Sequence, residues 1–171
     1  MMIVALLGGR RDLLYKPLVN MLASSGYRVA AAVQLRKVEL AKEMRELAEA
    51  GAGLIVAHST NRVVLSTTYV PDALDEISKM VGCLAPVDPD VLILLGFQKL
   101  VRDDERVLKA LAVWSTKEAE SLLAEIAPPV VGVYSERRDY LGGYSTPDEL
   151  ANAIVEEGMR RRLIQPRVRK A

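Results

Sequence analysis

The residues with the clearest potential for chemistry lie in Gly8–Asp12, directly after the apolar segment Met2–Leu7. A glycine pair lets the backbone turn sharply, and the first amides of a following helix then favour an anion. Arg10 and Arg11 would add positive charge at the same place, whereas Asp12 would repel an anion or pair with one of the arginines. The stretch therefore predicts a phosphate or other anion site, and a tight turn that binds nothing is the alternative.

A complete P-loop would continue such a turn with Gly-Lys-Ser/Thr, because the lysine contacts the β and γ phosphates and the hydroxyl binds Mg²⁺. That ending is missing after Gly8 and Gly9. We therefore expect no catalytic residues for nucleotide hydrolysis by the standard P-loop route. Metal binding is limited too, because one Cys and one His exclude a cysteine cluster or a multi-histidine site within one chain.

Alternating strands and helices must position this turn. Met2–Leu7 and Val91–Leu95 are continuous apolar runs, which are typical of strands buried on both faces of a parallel sheet, and we place the second run at the centre. The pattern predicts a three-layer α/β domain with a mostly parallel sheet and one antiparallel hairpin. Further strands are predicted at Arg28–Gln34 (also buried), Leu54–His58, Val63–Thr68, Leu108–Trp114 and Val130–Tyr134. Helices are predicted at Leu13–Ser25, Val38–Ala50, Pro71–Val81, residues 115–126 and from Pro147 towards Arg162.

Ligands of such sheets bind beyond the carboxyl ends of the strands, so few loops are candidate sites. Ser135–Tyr144 is the second candidate after the glycine turn, because its tyrosines and arginines could stack on a base. Two helix starts carry capping-box patterns, Ser115–Glu118 and Thr146–Glu149. Pro17 should lie in the first turn of its helix, where a missing N–H is harmless. The strand-end loops are Gly8–Lys16, His58–Arg62, Gly96–Lys99, Ser115–Lys117 and Ser135–Tyr144.

Composition limits the class of partner. A net charge of +1 and a 50% hydrophobic content are those of a globular protein and do not indicate a dedicated nucleic-acid binder. Met159–Ala171 holds six basic residues and no acid, so we expect one domain over residues 1–163 and a basic tail over 164–171. The apolar runs are too short for a membrane span or a signal peptide, which predicts a cytoplasmic protein without membrane contact. The scarcity of Asn, Gln and Cys is compatible with a thermophilic source.

Three stretches resemble the molybdopterin-guanine dinucleotide biosynthesis protein B (MobB) family in their order and spacing. They are LASSGYRVAAAVQ, RELAEAGAGLIVAHSTNRVVL and PDVLILLGFQK, and with the first strand, turn and helix they extend the similarity over residues 2–135. The resemblance implies a P-loop NTPase-like (Rossmann-like) fold, binding of GTP with magnesium, a homodimer, and assistance in attaching GMP to molybdopterin. It also implies a partner among the other proteins of molybdenum cofactor biosynthesis.

This sequence departs from the family where the family's chemistry lies. The family ends its first loop in Gly-Thr-Gly-Lys-Thr-Thr, and here Arg11 falls on the lysine position and Asp12 on the following threonine position. An alternative alignment starts the helix later and uses Lys16 as the phosphate lysine. The family's acidic residue before Gly-Phe is Leu95 here, and Gln98 replaces its lysine. The candidate ligand-binding residues are Gly8, Gly9, Arg10, Arg11, Asp12, Lys16, Gly96 and Gln98.

Together these features predict a MobB-like nucleotide-binding accessory protein of molybdenum cofactor biosynthesis that lacks GTPase activity. GTP or another nucleotide, with Mg²⁺, would bind weakly or would no longer bind. The alternative is a non-catalytic, degenerate P-loop protein that acts as a binding or scaffold subunit. The fold does not separate the two hypotheses, because one fold can host unrelated functions.

Overall fold

The computed structural model describes residues 1–34, 41–59, 62–67, 71–85 and 87–166. Contacts between residues divide the chain into two compact units, Met1–Gln34 with Ala73–Ala171, and Leu35–Asp72. The predicted division into one domain over residues 1–163 and a basic tail stays a prediction, and residues 167–171 of that tail lie outside the described residues.

The elements are numbered in chain order. The strands are β1 (Met2–Leu7), β2 (Val29–Val33), β3 (Leu54–Ser59), β4 (Arg62–Thr67), β5 (Val91–Leu95), β6 (Val107–Val113) and β7 (Val130–Ser135). The helices are α1 (Arg11–Ser24), α2 (Lys42–Glu49), α3 (Leu74–Leu84), α4 (Gln98–Val101), α5 (Thr116–Glu125) and α6 (Pro147–Arg160).

The first unit is built on a parallel five-stranded sheet with the order β2-β5-β1-β6-β7. Val4 of β1 is paired with Ile93 of β5 on one side and with Leu108 of β6 on the other. β1 is therefore the central strand. β5 is an interior strand as predicted, but the expectation that it would be the central one was wrong.

β2 corrects an expectation about burial. The apolar run in Arg28–Gln34 predicted a buried strand, yet β2 is the edge of the sheet and pairs only with β5. Ala31 and Val33 are exposed, Val33 by 48%. An edge strand lacks a neighbour on one side, so even an apolar run there keeps part of its surface accessible.

Alternation along β1 supplies two apolar cores, one on each face of the sheet. Val4 and Leu6 belong to the core that includes residues of α1 and α6. Ala5 and Leu7 belong to the core that includes residues of α3 and α5. Because successive side chains of a strand point to opposite faces, a run without polar residues must be covered twice, which confirms the helix-sheet-helix layering.

α1 begins earlier than its sequence suggested, and this overturns the placement of Pro17. The helix starts at Arg11, so Pro17 is its seventh residue and lies inside the helix rather than in the first turn. An interior proline costs about 3 kcal/mol or more, because its missing N–H removes one hydrogen bond and its ring crowds the preceding turn. Full burial of Leu14, Leu18 and Leu22 offsets this with about 1.5–3 kcal/mol for each side chain.

Other helix boundaries match the sequence in part. α3 starts at Leu74 instead of Pro71, and the short α4 lies in a stretch expected to be a loop. The Thr146–Glu149 capping box is confirmed, because the Thr146 side chain accepts from the Glu149 amide and the Glu149 carboxylate accepts from the Thr146 amide. Among the described residues, each helix is too short or too polar to cross a bilayer.

The second unit contains α2 and the predicted hairpin. β3 and β4 are antiparallel, with Val56 opposite Leu65, which confirms the hairpin. Met44 of α2 and Ile55 of β3 are buried, whereas Val56 is 58% exposed and Leu65 is 43% exposed. The first residues of the predicted helix Val38–Ala50 and the tip of the His58–Arg62 loop lie outside the described residues.

Candidate functional site

The glycine turn, Gly8–Asp12, joins β1 to α1 at the carboxyl edge of the sheet and is fastened to β6. The Arg10 amide donates to the Ala112 carbonyl at 2.9 Å. Gly8 has φ +95°, and a Cβ built on it would lie only 2.3 Å from that same carbonyl oxygen. The turn can therefore approach β6 this closely only with glycine at position 8.

The carboxylate of Glu118, in α5, accepts a hydrogen bond from the Gly9 main-chain amide, just before α1. The Gly9 main-chain N–H donates to Glu118 Oε1 at 2.7 Å, and the Trp114 main-chain N–H donates to Glu118 Oε2 at 2.8 Å. Gly9 also permits close packing, because a Cβ there would lie 2.7 Å from Trp114 Nε1. The Gly9 N–H, which the sequence predicted to bind an external anion, is thus already hydrogen-bonded to the Glu118 side chain.

Arg10 is enclosed in the same way. Its guanidinium donates to both Asp12 carboxylate oxygens, at 3.1 and 3.2 Å, and forms an ion pair with Glu136. Its charged centre lies 4.3 Å from the centroid of the Trp114 ring, within the range of a cation–π contact. The side chain is only 15% exposed. The hydrogen bonds from Arg10 lower the pKa of the Asp12 carboxyl, which keeps Asp12 ionised and the pair closed.

The other basic candidates of this segment lie apart from that cluster. Arg11 donates to the Gly8 carbonyl at 3.3 Å, so it supports the turn. Lys16 is exposed in the second turn of α1. The alternative alignment, which began the helix after Lys16, was wrong because the first helical residue is Arg11.

The candidates after β5 are directed elsewhere. Gly96 has φ +92°, and the following Phe97 amide donates to the Gln34 side-chain oxygen at 2.9 Å. Gln98 donates to Glu125 at 2.9 Å. Glu125 is the last residue of α5, about 10 Å along the helix axis from Glu118 at 1.5 Å per residue. The structure therefore does not join Gln98 to the glycine turn through this contact.

The second candidate loop caps the start of α5. Asp139 accepts from the Ser135 hydroxyl at 2.7 Å and from the Thr116 amide at 3.0 Å, and the Ser135 hydrogen bond is the largest cause of the lowered pKa of this carboxyl. The predicted Ser115–Glu118 capping box was wrong, because the Ser115 side chain makes no capping hydrogen bond. Glu118 binds Gly9 and Trp114 instead, and Asp139 takes over the cap from a distant loop.

This loop also lines a small cavity. The cavity has a volume of about 140 Å³. Its lining residues are Ser135, Arg138, Tyr140, Gly143, Tyr144 and Ser145. Two larger cavities, of about 370 and 510 Å³, lie away from the glycine turn, one beside Tyr27 and Asp90 and the other beside Pro129 and Arg160.

Three residues of the site were missed as site residues in the sequence. Trp114, Glu118 and Glu136 lie more than a hundred positions from the glycine turn, and only the parallel pairing of β1, β6 and β7 brings them to it. The only sequence signal was positional. Trp114 is the last residue of the predicted strand Leu108–Trp114, Glu118 comes four residues later, and Glu136 lies in the candidate loop Ser135–Tyr144. In this cluster the Gly9 amide is hydrogen-bonded to Glu118, and the Arg10 guanidinium is paired with Asp12 and Glu136.

No protein-family model and no curated protein matches the sequence. Among solved structures, one of molybdopterin-guanine biosynthesis protein B (MobB) is 19% identical, with a TM-score of 0.60 over 91% of this chain and 97% of that chain. A MobB protein homolog from Bacillus stearothermophilus is 16% identical, with a TM-score of 0.61 over 94% and 100%. Bacillus subtilis MobB is 12% identical, with a TM-score of 0.66 over 92% and 97%. These matches confirm, at the level of the fold, the resemblance predicted from the sequence.

Proposed function

We propose that this chain is a MobB-like accessory protein of molybdenum cofactor biosynthesis and that it does not hydrolyse GTP. The first half of the proposal is supported by the fold shared with several MobB structures over more than nine-tenths of the chain. The resemblance of three sequence stretches in the same order supports it independently of the structure.

The observation that carries the second half is the bonded state of the glycine turn. The Gly9 amide is held by Glu118, and the Arg10 guanidinium is held by Asp12 and Glu136. Phosphoryl transfer depends on free donors and a metal ion that stabilise charge on the transferred group. Leu95, at the end of β5, can neither bind Mg²⁺ nor position water.

GTP or another nucleotide, with Mg²⁺, is proposed to bind weakly at this edge. Phosphate oxygens near Gly9 would meet the negative charge of Asp12, Glu118 and Glu136 before they reached a free donor. The same observation favours the second candidate function, a scaffold subunit without a nucleotide. A calorimetric titration of GTP with Mg²⁺ separates the two, since weak saturable binding supports the first and no heat of binding supports the second.

The biological half of the proposal is tested in the source organism. Deleting the gene should lower the ratio of the guanine dinucleotide form of the cofactor to molybdopterin, measured in extracts by chromatography with fluorescence detection. An Arg11→Ala form should restore that ratio, because Arg11 only supports the turn through the Gly8 carbonyl. An unchanged ratio in the deletion strain would reject the role in cofactor biosynthesis. GTP turnover above background in the purified protein, lost in Arg11→Ala, would reject the absence of catalysis.

A further inference from the structure

Two main-chain amides from different turns converge on one carboxylate. Glu118 accepts from Gly9 through one oxygen and from Trp114 through the other, at 2.7 and 2.8 Å. Charge-assisted hydrogen bonds of this length are stronger than neutral ones. Gly9 is the second residue after β1 and lies before α1, so the carboxylate occupies the place where an oxyanion would meet this turn.

We infer that Glu118 is an intramolecular competitor for oxyanions, so that its carboxylate decides whether the glycine turn accepts a phosphate group. This inference rests on the proposed function, because it names the regulation of the same site. A phosphate and a carboxylate cannot share the Gly9 N–H without strong repulsion between two anions. A ligand must therefore displace Glu118, whereas removal of its charge should open the turn.

The helix gives the carboxylate an advantage over a free ion. Glu118 lies in the first turn of α5, whose next residue, Ala119, is completely buried and so fixes this turn against the sheet. An attached carboxylate loses less translational freedom on binding than a dissolved anion does.

Release of Glu118 should be visible through Trp114. This is the single tryptophan of the chain, and it is 52% exposed. Its amide binds Glu118, its ring edge approaches Gly9, and its ring face lies under Arg10. Displacement of the carboxylate removes one of these contacts directly, so the intrinsic fluorescence of the protein reports the state of the turn.

The test compares Glu118→Gln with the wild-type chain, using pyrophosphate as the probe. Glutamine keeps the length of the side chain and one acceptor oxygen but removes the charge. Glu120→Gln is the matched control, because Glu120 is an exposed acid on the same helix and its change alters the net charge equally. Calorimetry should show pyrophosphate binding at least about tenfold tighter in Glu118→Gln, the factor that corresponds to 1.4 kcal/mol. Glu120→Gln should match the wild type.

A second variant and a second probe keep the inference decidable. Glu118→Ala should behave like Glu118→Gln in any preparation with native circular dichroism. Both variants should differ from the wild type in Trp114 fluorescence before any ligand is added, because the carboxylate that binds the Trp114 amide is gone. Equal pyrophosphate affinity in all four proteins, or an equal gain in Glu120→Gln, would overturn the competitor role. GTP separates this result from the proposed function, since a gain for pyrophosphate without any GTP binding would reject nucleotide binding and leave the Glu118 inference intact.

Discussion

Gly8 offers a direct test of how closely the glycine turn is fitted to β6. Alanine at this position would place a Cβ 2.3 Å from the Ala112 carbonyl oxygen and 2.9 Å from a Val113 methyl group. The first contact is with backbone at the end of a buried strand, so no side-chain rotation can relieve it. The residue also has φ +95°, a conformation that side chains rarely adopt.

The expected loss of stability has two parts. The positive φ costs about 1–3 kcal/mol for a residue with a side chain. The steric contact adds about 1–3 kcal/mol, the usual range for overpacking. Gly142→Ala is the matched control, because Gly142 has φ +79° and a Cβ there would have nothing within 4 Å. Gly142→Ala should therefore show the first part alone, and Gly8→Ala should show both.

Urea unfolding followed by circular dichroism measures this difference as a change in the free energy of unfolding. Gly8→Ala should be less stable than Gly142→Ala by about 1–3 kcal/mol. Equal losses in the two variants would refute the conclusion that the turn is pressed against the Ala112 carbonyl. A loss in Gly142→Ala alone would refute it as well, because Gly142 makes no such contact.

Three other predictions address charge and assembly. Lys109 is completely buried, and burial lowers the pKa of its ammonium group. Between the lowered pKa and 10.5 the unfolded chain therefore binds more protons than the folded one, so the free energy of unfolding of the wild type should rise with pH relative to that of Lys109→Met. Urea unfolding at a series of pH values measures this difference. A parallel dependence in both proteins would contradict this. Glu157 has a pKa of about 2 because Arg160 and Arg161 donate to it, so its contribution is present above 4.5 and is lost as pH falls towards 2. In Glu157→Gln the unfolding temperature should therefore fall less steeply between pH 4.5 and 2 than in the wild type, and an equal fall in both proteins would reject the ion pairs. We propose a homodimer, and light scattering coupled to size exclusion should give twice the mass of 18.8 kDa, whereas a monomer mass would exclude it.

Local patterns in the sequence were sufficient for much of the fold. The uninterrupted apolar runs at β1 and β5 predicted interior strands, and the Thr146–Glu149 pattern predicted the start of α6. Each signal lies within a few residues of the structure that it predicts. Hydrophobic periodicity and capping act over that same short range, and for this reason they can be read without knowledge of the neighbours.

The sequence also determined the glycine turn, its charges and the possible pairing of Asp12 with an arginine, which the structure shows with Arg10, but not the distant partners. Ser115 and Glu118 fit a capping box, yet Glu118 bonds to an amide 109 positions away and Asp139 caps the helix instead. Arg10 and Glu136 are separated by 126 positions. Only the parallel order of β1, β6 and β7 brings these loops to one edge, because strand ends that meet in space can be distant in the chain. A charged residue pairs with whatever group the fold brings within hydrogen-bond distance, so only the tertiary structure decided that Glu118 and Glu136 also close this turn.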